Sequence, residues 1–112
     1  MKKIEAILRP EKLNKVKEAL ENLGYPGMSL TRMEGHGRQK GKVEQFRGRE
    51  FRVEFLPKIK IEIAARDQDV ERITRTIIEA AKTGEIGNGK IFISPLENTV
   101  RIRTGEEGEQ AL

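Results

Sequence analysis

Two stretches near the C-terminal end combine glycines with cations, which are residue types suited to a polyphosphate. Thr83-Gly84-Glu85-Ile86-Gly87-Asn88-Gly89-Lys90 places three glycines and a lysine ahead of an apolar run, Ile91-Phe92-Ile93. Glycine lets the backbone turn sharply and lets an anion approach its N–H groups. Arg101-Ile102-Arg103-Thr104-Gly105 adds two arginines a few residues on. A glycine-rich connection between helix and strand also serves as a plain helix C-cap, so this motif by itself supports either reading.

The elements that must carry these residues follow from periodicity. Ile4, Ala6 and Leu8 alternate over residues 3–9 and predict a strand. Pro10 opens a helix in which Leu13, Val16, Leu20 and Leu23 share a face, and Gly24 ends it. Tyr25-Pro26-Gly27 reads as a turn and residues 28–33 as a second strand. From Gly35 to about Val53 no period survives, and a long stretch of that kind in a compact domain is usually functional.

Order returns at Phe55, where Ile59, Ile61 and Ile63 oppose Lys58, Lys60 and Glu62. A second helix starts at Asp67 or Gln68, with Val70, Ile73, Ile77 and Ala80 as its buried stripe. A strand over residues 90–94 follows, then a short last strand over 99–103 and an acidic tail. Two strand-helix-strand halves predict an α+β, ferredoxin-like βαββαβ sandwich with both helices on one face. Ile59, Ile61, Ile63, Ile91, Ile93, Val100 and Ile102 are expected inside, with Lys58, Glu62, Lys90, Arg101 and Arg103 on the open face. Such a face is generally closed by another subunit, so an oligomer is expected.

Composition bounds the chemistry. The 112 residues suit one domain, 1–112, and no apolar run approaches membrane-spanning length, so a soluble, cytoplasmic protein is expected. Cysteine is absent and His36 is the single histidine, which excludes thiol chemistry and multi-histidine metal sites. The net charge is +4, yet aromatics are only 4% and acids are interspersed, so stacking platforms for nucleic acid are lacking. No nucleic-acid partner is expected.

Four stretches together resemble the PII nitrogen-regulatory signal-transduction family over nearly the whole chain. They are Gly35-His36-Gly37-Arg38-Gln39-Lys40-Gly41, Phe55-Leu56-Pro57-Lys58-Ile59-Lys60-Ile61-Glu62, the glycine turn through Phe92, and Arg101-Ile102-Arg103-Thr104-Gly105-Glu106. The resemblance implies a ferredoxin-like homotrimer that binds ATP or ADP competitively in the cleft between subunits, and 2-oxoglutarate once Mg·ATP is present. It implies a T-loop at about 37–55, a B-loop at about 82–90 and a C-terminal loop at about 101–112. Gly87, Asn88, Gly89 and Lys90 would hold phosphates, with Arg101 and Arg103 reaching in from the neighbouring subunit. Ser29, Glu62 and Ala64 would line the base and ribose, and Gly35, Gly37 and Arg38 complete the ligand-binding set. Gln39 would ligate Mg²⁺ through its amide oxygen, and Lys58 would meet a carboxylate of 2-oxoglutarate. The implied role is a non-enzymatic sensor whose T-loop engages a target protein, such as an ammonium transporter or a nitrogen-metabolism enzyme. Membrane contact would then be indirect, through a transporter.

Other readings of the same residues stay open. Lys58 suits a surface position, and Glu62 suits an ion pair between subunits as well as a ribose contact. Arg47, Arg49 and Arg52 suit a solvated loop face or a docking surface, and His36 between glycines suits a turn. A slow ATPase would use the same phosphate site but needs a residue that orients water, and Asn88 stands at the B-loop tip where relatives commonly carry aspartate. Ser29 stands where threonine is frequent.

The T-loop departs from its relatives in a way that has a chemical consequence. Where many carry a nucleotidylated tyrosine, this chain has Phe51, and where some carry a phosphorylated serine it has Arg49. Tyr25, the single tyrosine, lies far along the chain from that loop. Incubation with a nucleotidyltransferase of the family and UTP or ATP is therefore expected to leave the intact mass unchanged. A nucleotidyl increment on a peptide from residues 37–55 would overturn regulation by ligands alone.

Overall fold

The computed structural model describes residues 1–25, 27–35, 55–84 and 89–112, with the backbone of 43–46 and 49–52. The long strands are β1 (Lys2–Leu8), β2 (Ser29–Gly35), β5 (Leu56–Ala65) and β6 (Gly89–Pro95), and β3 (Val43–Phe46) and β4 (Arg49–Arg52) form a separate two-stranded sheet. The main sheet is antiparallel in the order β2-β5-β1-β6, with β1 and β5 in the middle. Helices α1 (Leu13–Leu23) and α2 (Val70–Ala81) complete the ferredoxin-like βαββαβ arrangement.

The core shows why the sheet sits this way round. Ile4, Ala6 and Leu8 of β1 and Ile59, Ile61 and Ile63 of β5 are buried together with Val16 and Leu20 of α1 and Ile73, Ile77 and Ala81 of α2. Both helices therefore cover one face, and each aliphatic chain so buried contributes about 1.5–3 kcal/mol. Register Ile4↔Ile63 and Ala6↔Ile61 aligns the two strands' apolar residues directly opposite each other.

Helix starts are tighter than the sequence pattern indicates. Pro10–Lys12 and Asp67–Asp69 are 3-10 turns, and α-helix begins only at Leu13 and Val70. α1 ends in a Schellman arrangement, where Gly24 at φ +98° directs its N–H to Glu21 O while the Tyr25 N–H reaches Leu20 O.

The fold adds two short strands to the pattern and removes one predicted strand. The stretch without period, 35–53, contains β3 and β4, whose four-residue length is too short for alternation to register. The last predicted strand is instead a short loop closed by a lone bridge between Val100 and Glu107, with turns between them. Val100 is half-exposed and Ile102 fully exposed, so neither joins the core, and Ile93 is half-exposed on the edge strand β6. Two alternating aliphatics without a partner strand bury too little surface to hold an extended segment.

Gly89 opens β6 under a double constraint. Its φ is +109°, and a Cβ there would stand 1.7 Å from the Ile7 carbonyl oxygen. Because that neighbour is backbone, the strand itself would have to move. Gly89→Ala is expected to lower unfolding free energy by about 2–5 kcal/mol, summing a left-handed φ and overpacking. A loss under about 0.5 kcal/mol in urea titration would show that β6 adjusts freely.

Candidate functional site

Strand alternation sets out the open face in rows. Register places Ser29, Glu62, Glu5 and Phe92 in one row across the sheet and Thr31, Lys60, Ile7 and Lys90 in the next, while Ala64 lies beside Lys3. Ser29 on the β2 edge directly opposes Glu62. Lys90 lies on β6, the opposite edge, three strand spacings or roughly 14 Å away. The candidate residues thus occupy both edges of one chain's sheet.

Glu62 is the centre of an ionic cluster within the chain. Its carboxylate accepts from Lys3 Nζ at 3.3 Å and Lys60 Nζ at 3.3 Å, and Lys3 also reaches Glu5 at 3.1 Å. Hydrogen bonds from the two lysines hold the Glu62 carboxyl below its ordinary pKa, and hydrogen bonds to Glu5 and Glu62 raise that of Lys3. This in-chain pairing is an arrangement that neither the ribose nor the intersubunit reading of Glu62 contains.

Lys58 behaves differently from its strand neighbours. Only 9% of it is exposed, and burial pushes its ammonium below the ordinary lysine pKa. The Arg9 guanidinium adds to that effect and the Glu11 carboxylate opposes it. The surface reading of Lys58 is therefore wrong. Extending the β1–β5 register by one pair beyond Leu8↔Ile59 sets Arg9 opposite Lys58. Arg9 escaped the sequence reading because it falls just past the alternating run, and its significance depends on strand register.

The C-terminal loop separates the two arginines. Arg101 donates from Nη1 to Glu106 Oε1 at 3.2 Å and from Nη2 to the Gln110 carbonyl at 3.0 Å, and its backbone N–H bonds Glu106 O. Asn98 Oδ1 braces the same loop by accepting from the N–H groups of Thr99 and Gly108. Arg103 is exposed in the turn, with no ion pair to another described residue, and Lys90 is likewise exposed. Neither arginine stands in a strand, contrary to expectation.

The structure thus brings together Ser29 with Glu62, Gly35 with Lys58, and Gly89 with Lys90. Gly37, Arg38, Gln39, Gly87 and Asn88 lie outside the described residues, as does His36. Among the described residues no cluster of three or more acidic or histidine side chains could hold a metal, and no helix is long and apolar enough to cross a membrane. An apolar groove of about 450 Å³ runs between α2 and β6, with Ile78, Ile93 and Lys90 in its lining.

Comparison with known proteins now bears on this geometry. The family described as Nitrogen regulatory protein P-II matches residues 1–106. The chain belongs to the P-II family. It is 56% identical to the Nitrogen regulatory protein P-II of Microchaete diplosiphon and 55% identical to that of Azospirillum brasilense, with both chains covered end to end. Against the Nitrogen regulatory protein P-II 2 of Methanothermobacter thermautotrophicus it is 54% identical over 97% of that protein. These relatives are named as regulators, and their full-length match agrees with the ferredoxin-like topology seen here.

The ionic cluster makes a pH prediction whose sign follows from Glu62. A carboxyl lowered on folding contributes stability above its ordinary value near 4.5, which is lost as pH falls through the lower folded value. Glu62→Gln is therefore expected to flatten the acid limb of the stability curve below about pH 4.5, leaving its slope near neutrality unchanged. An acid limb identical to wild type in thermal melts would show that the lysines do not hold Glu62 in solution. The Lys3 contribution, raised on folding, is lost only above about pH 10.5.

Proposed function

We propose that this protein is a non-enzymatic nitrogen-signalling sensor that binds ATP or ADP and, with Mg·ATP, 2-oxoglutarate. The observation that carries this reading is Lys58, a buried cation beside Arg9 at the foot of the long β2–β5 connection. Burial and a like charge disfavour its charged form against the opposing pull of Glu11, and an arriving carboxylate would offset them further. A dicarboxylate with one end at Lys58 and the other on a nucleotide-borne metal suits that arrangement. Mg²⁺ would arrive with the phosphates, and the amide oxygen of Gln39 would be the protein's ligand.

A homotrimer supports the nucleotide site in this reading. Ser29 and Lys90 sit on opposite sheet edges, so the two ends of one nucleotide meet both sets where neighbouring copies adjoin. Phe92 is half-exposed on the open face, and Ile93 and Ile78 are half-exposed where the β6 edge meets α2, apolar surface that neighbouring copies would cover. Gly87, Asn88, Gly89 and Lys90 would cradle phosphates, joined by Arg101 and Arg103 from the next subunit. The T-loop would then report ligand state to a target protein, since Gln39 at its base must be placed to meet the metal. An ammonium transporter or a nitrogen-metabolism enzyme fits as target.

Lys90→Ala and Arg103→Ala are each expected to weaken ATP binding by about 1.5–3 kcal/mol, the scale of a hydrogen bond to a charged group. Lys58→Ala and Gln39→Ala should abolish 2-oxoglutarate binding while leaving ADP binding largely intact. Titration calorimetry with and without Mg²⁺ tests both. Wild-type ATP affinity in the first pair would remove the phosphate site. Metal-independent 2-oxoglutarate binding would remove the bridging role of Mg²⁺.

A further inference from the structure

We propose that Gly35 is the positioning residue for Lys58: its missing side chain is the space through which the lysine stem reaches its buried place. This inference rests on the reading above that Lys58 meets a carboxylate. A Cβ built on Gly35 would lie 2.8 Å from Lys58 Cγ, 3.7 Å from Cε and 3.8 Å from Cδ. The root of the stem at Cγ therefore occupies the space a side chain at 35 would need, and the rest of the stem runs in ordinary contact beside it.

Register explains the crossing. Met33 pairs with Lys58 and Gly35 with Leu56, so Gly35 and Lys58 are diagonal neighbours on the same sheet face. Gly35 differs from the other described glycines in the reason for its presence. Gly24, Gly84, Gly89, Gly105 and Gly108 all adopt positive φ, which favours glycine through the backbone, whereas Gly35 does not. Gly27 shares the ordinary φ but has nothing within 4 Å of its Cβ position. Among these residues only Gly35 combines an unstrained backbone with a contact to a functional side chain.

The consequence is a selected rotamer. Cγ lies at the root of the lysine chain, so relief of a 2.8 Å contact requires rotation about χ1 and carries the ammonium elsewhere. Laid over Gly35, the stem is shielded and the ammonium stays under the influence of Arg9 and Glu11. Displaced, it would gain solvent and lose the surroundings that ready it for a carboxylate.

The test joins three measurements on the full chain. Lysine-selective NMR titration should find the Lys58 pKa of Gly35→Ala moved upward toward 10.5, with Gly27→Ala unchanged from wild type. With Mg·ATP present, Gly35→Ala should bind 2-oxoglutarate at least about ten-fold more weakly, as for a lost charge-assisted hydrogen bond, while Gly27→Ala binds it as wild type does. If Gly35→Ala melts early, its loss in melting temperature should vanish in a Lys58→Ala background. An equal loss in both backgrounds, or a wild-type Lys58 titration in folded Gly35→Ala, would overturn the proposal. Wild-type 2-oxoglutarate affinity in Lys58→Ala, with the Lys58 titration of Gly35→Ala still shifted, would instead overturn the carboxylate reading and leave the positioning intact.

Discussion

The alternation along β5 constrains everything else in this protein. Ile59, Ile61 and Ile63 must face the helices, because each buries an aliphatic chain against α1 and α2. A strand has a period of two, so the same choice sends Lys58, Lys60 and Glu62 to the other face. A slip of one residue would turn three charges toward the helices and three isoleucines away from them. The ionic face is thus a by-product of the core, and its register against β1 and β2 decides which charges meet.

Three kinds of cation result. Lys3 and Lys60 pair with Glu5 and Glu62, and Arg101 with Glu106 within its own loop. Lys58 is buried beside a like charge, and Lys90 and Arg103 stand exposed. An in-chain partner does not disqualify a phosphate ligand. Exposed ion pairs are worth less than about 1 kcal/mol, while hydrogen bonds to a charged ligand reach about 1.5–3. In the proposed nucleotide site Arg101 would exchange Glu106 for a phosphate, and the C-terminal loop it closes would feel that exchange.

Glycines of two kinds support this arrangement. Gly24 and Gly89 are required by backbone geometry: one closes α1, and the other brings β6 against the Ile7 carbonyl. Gly35 is required by a side chain that crosses it. The distinction matters for function, because the first kind shapes the scaffold and the second aims a charge.

The two helices, the four long strands and the apolar stripe were legible from periodicity, since Leu20, Ile61 and Ile77 fall where local geometry alone puts them on one face. The glycine turn and the paired arginines were legible as residue types suited to phosphate, and Phe51 was legible as a side chain with no hydroxyl. Tertiary structure decided the rest. The segment around Val100 and Ile102 alternates like a strand, but among the described residues no neighbouring strand pairs with it, and pairing is a long-range property. Lys58 reads locally as a surface lysine, yet Gly35 and Arg9 surround it through register across three strands. Arg101 and Arg103 are equivalent in sequence and become unequal only when the chain folds back so that Glu106 and Gln110 reach one of them. Periodicity is a local physical signal and survives in one dimension, whereas burial, charge pairing and clearance depend on which distant residues become neighbours.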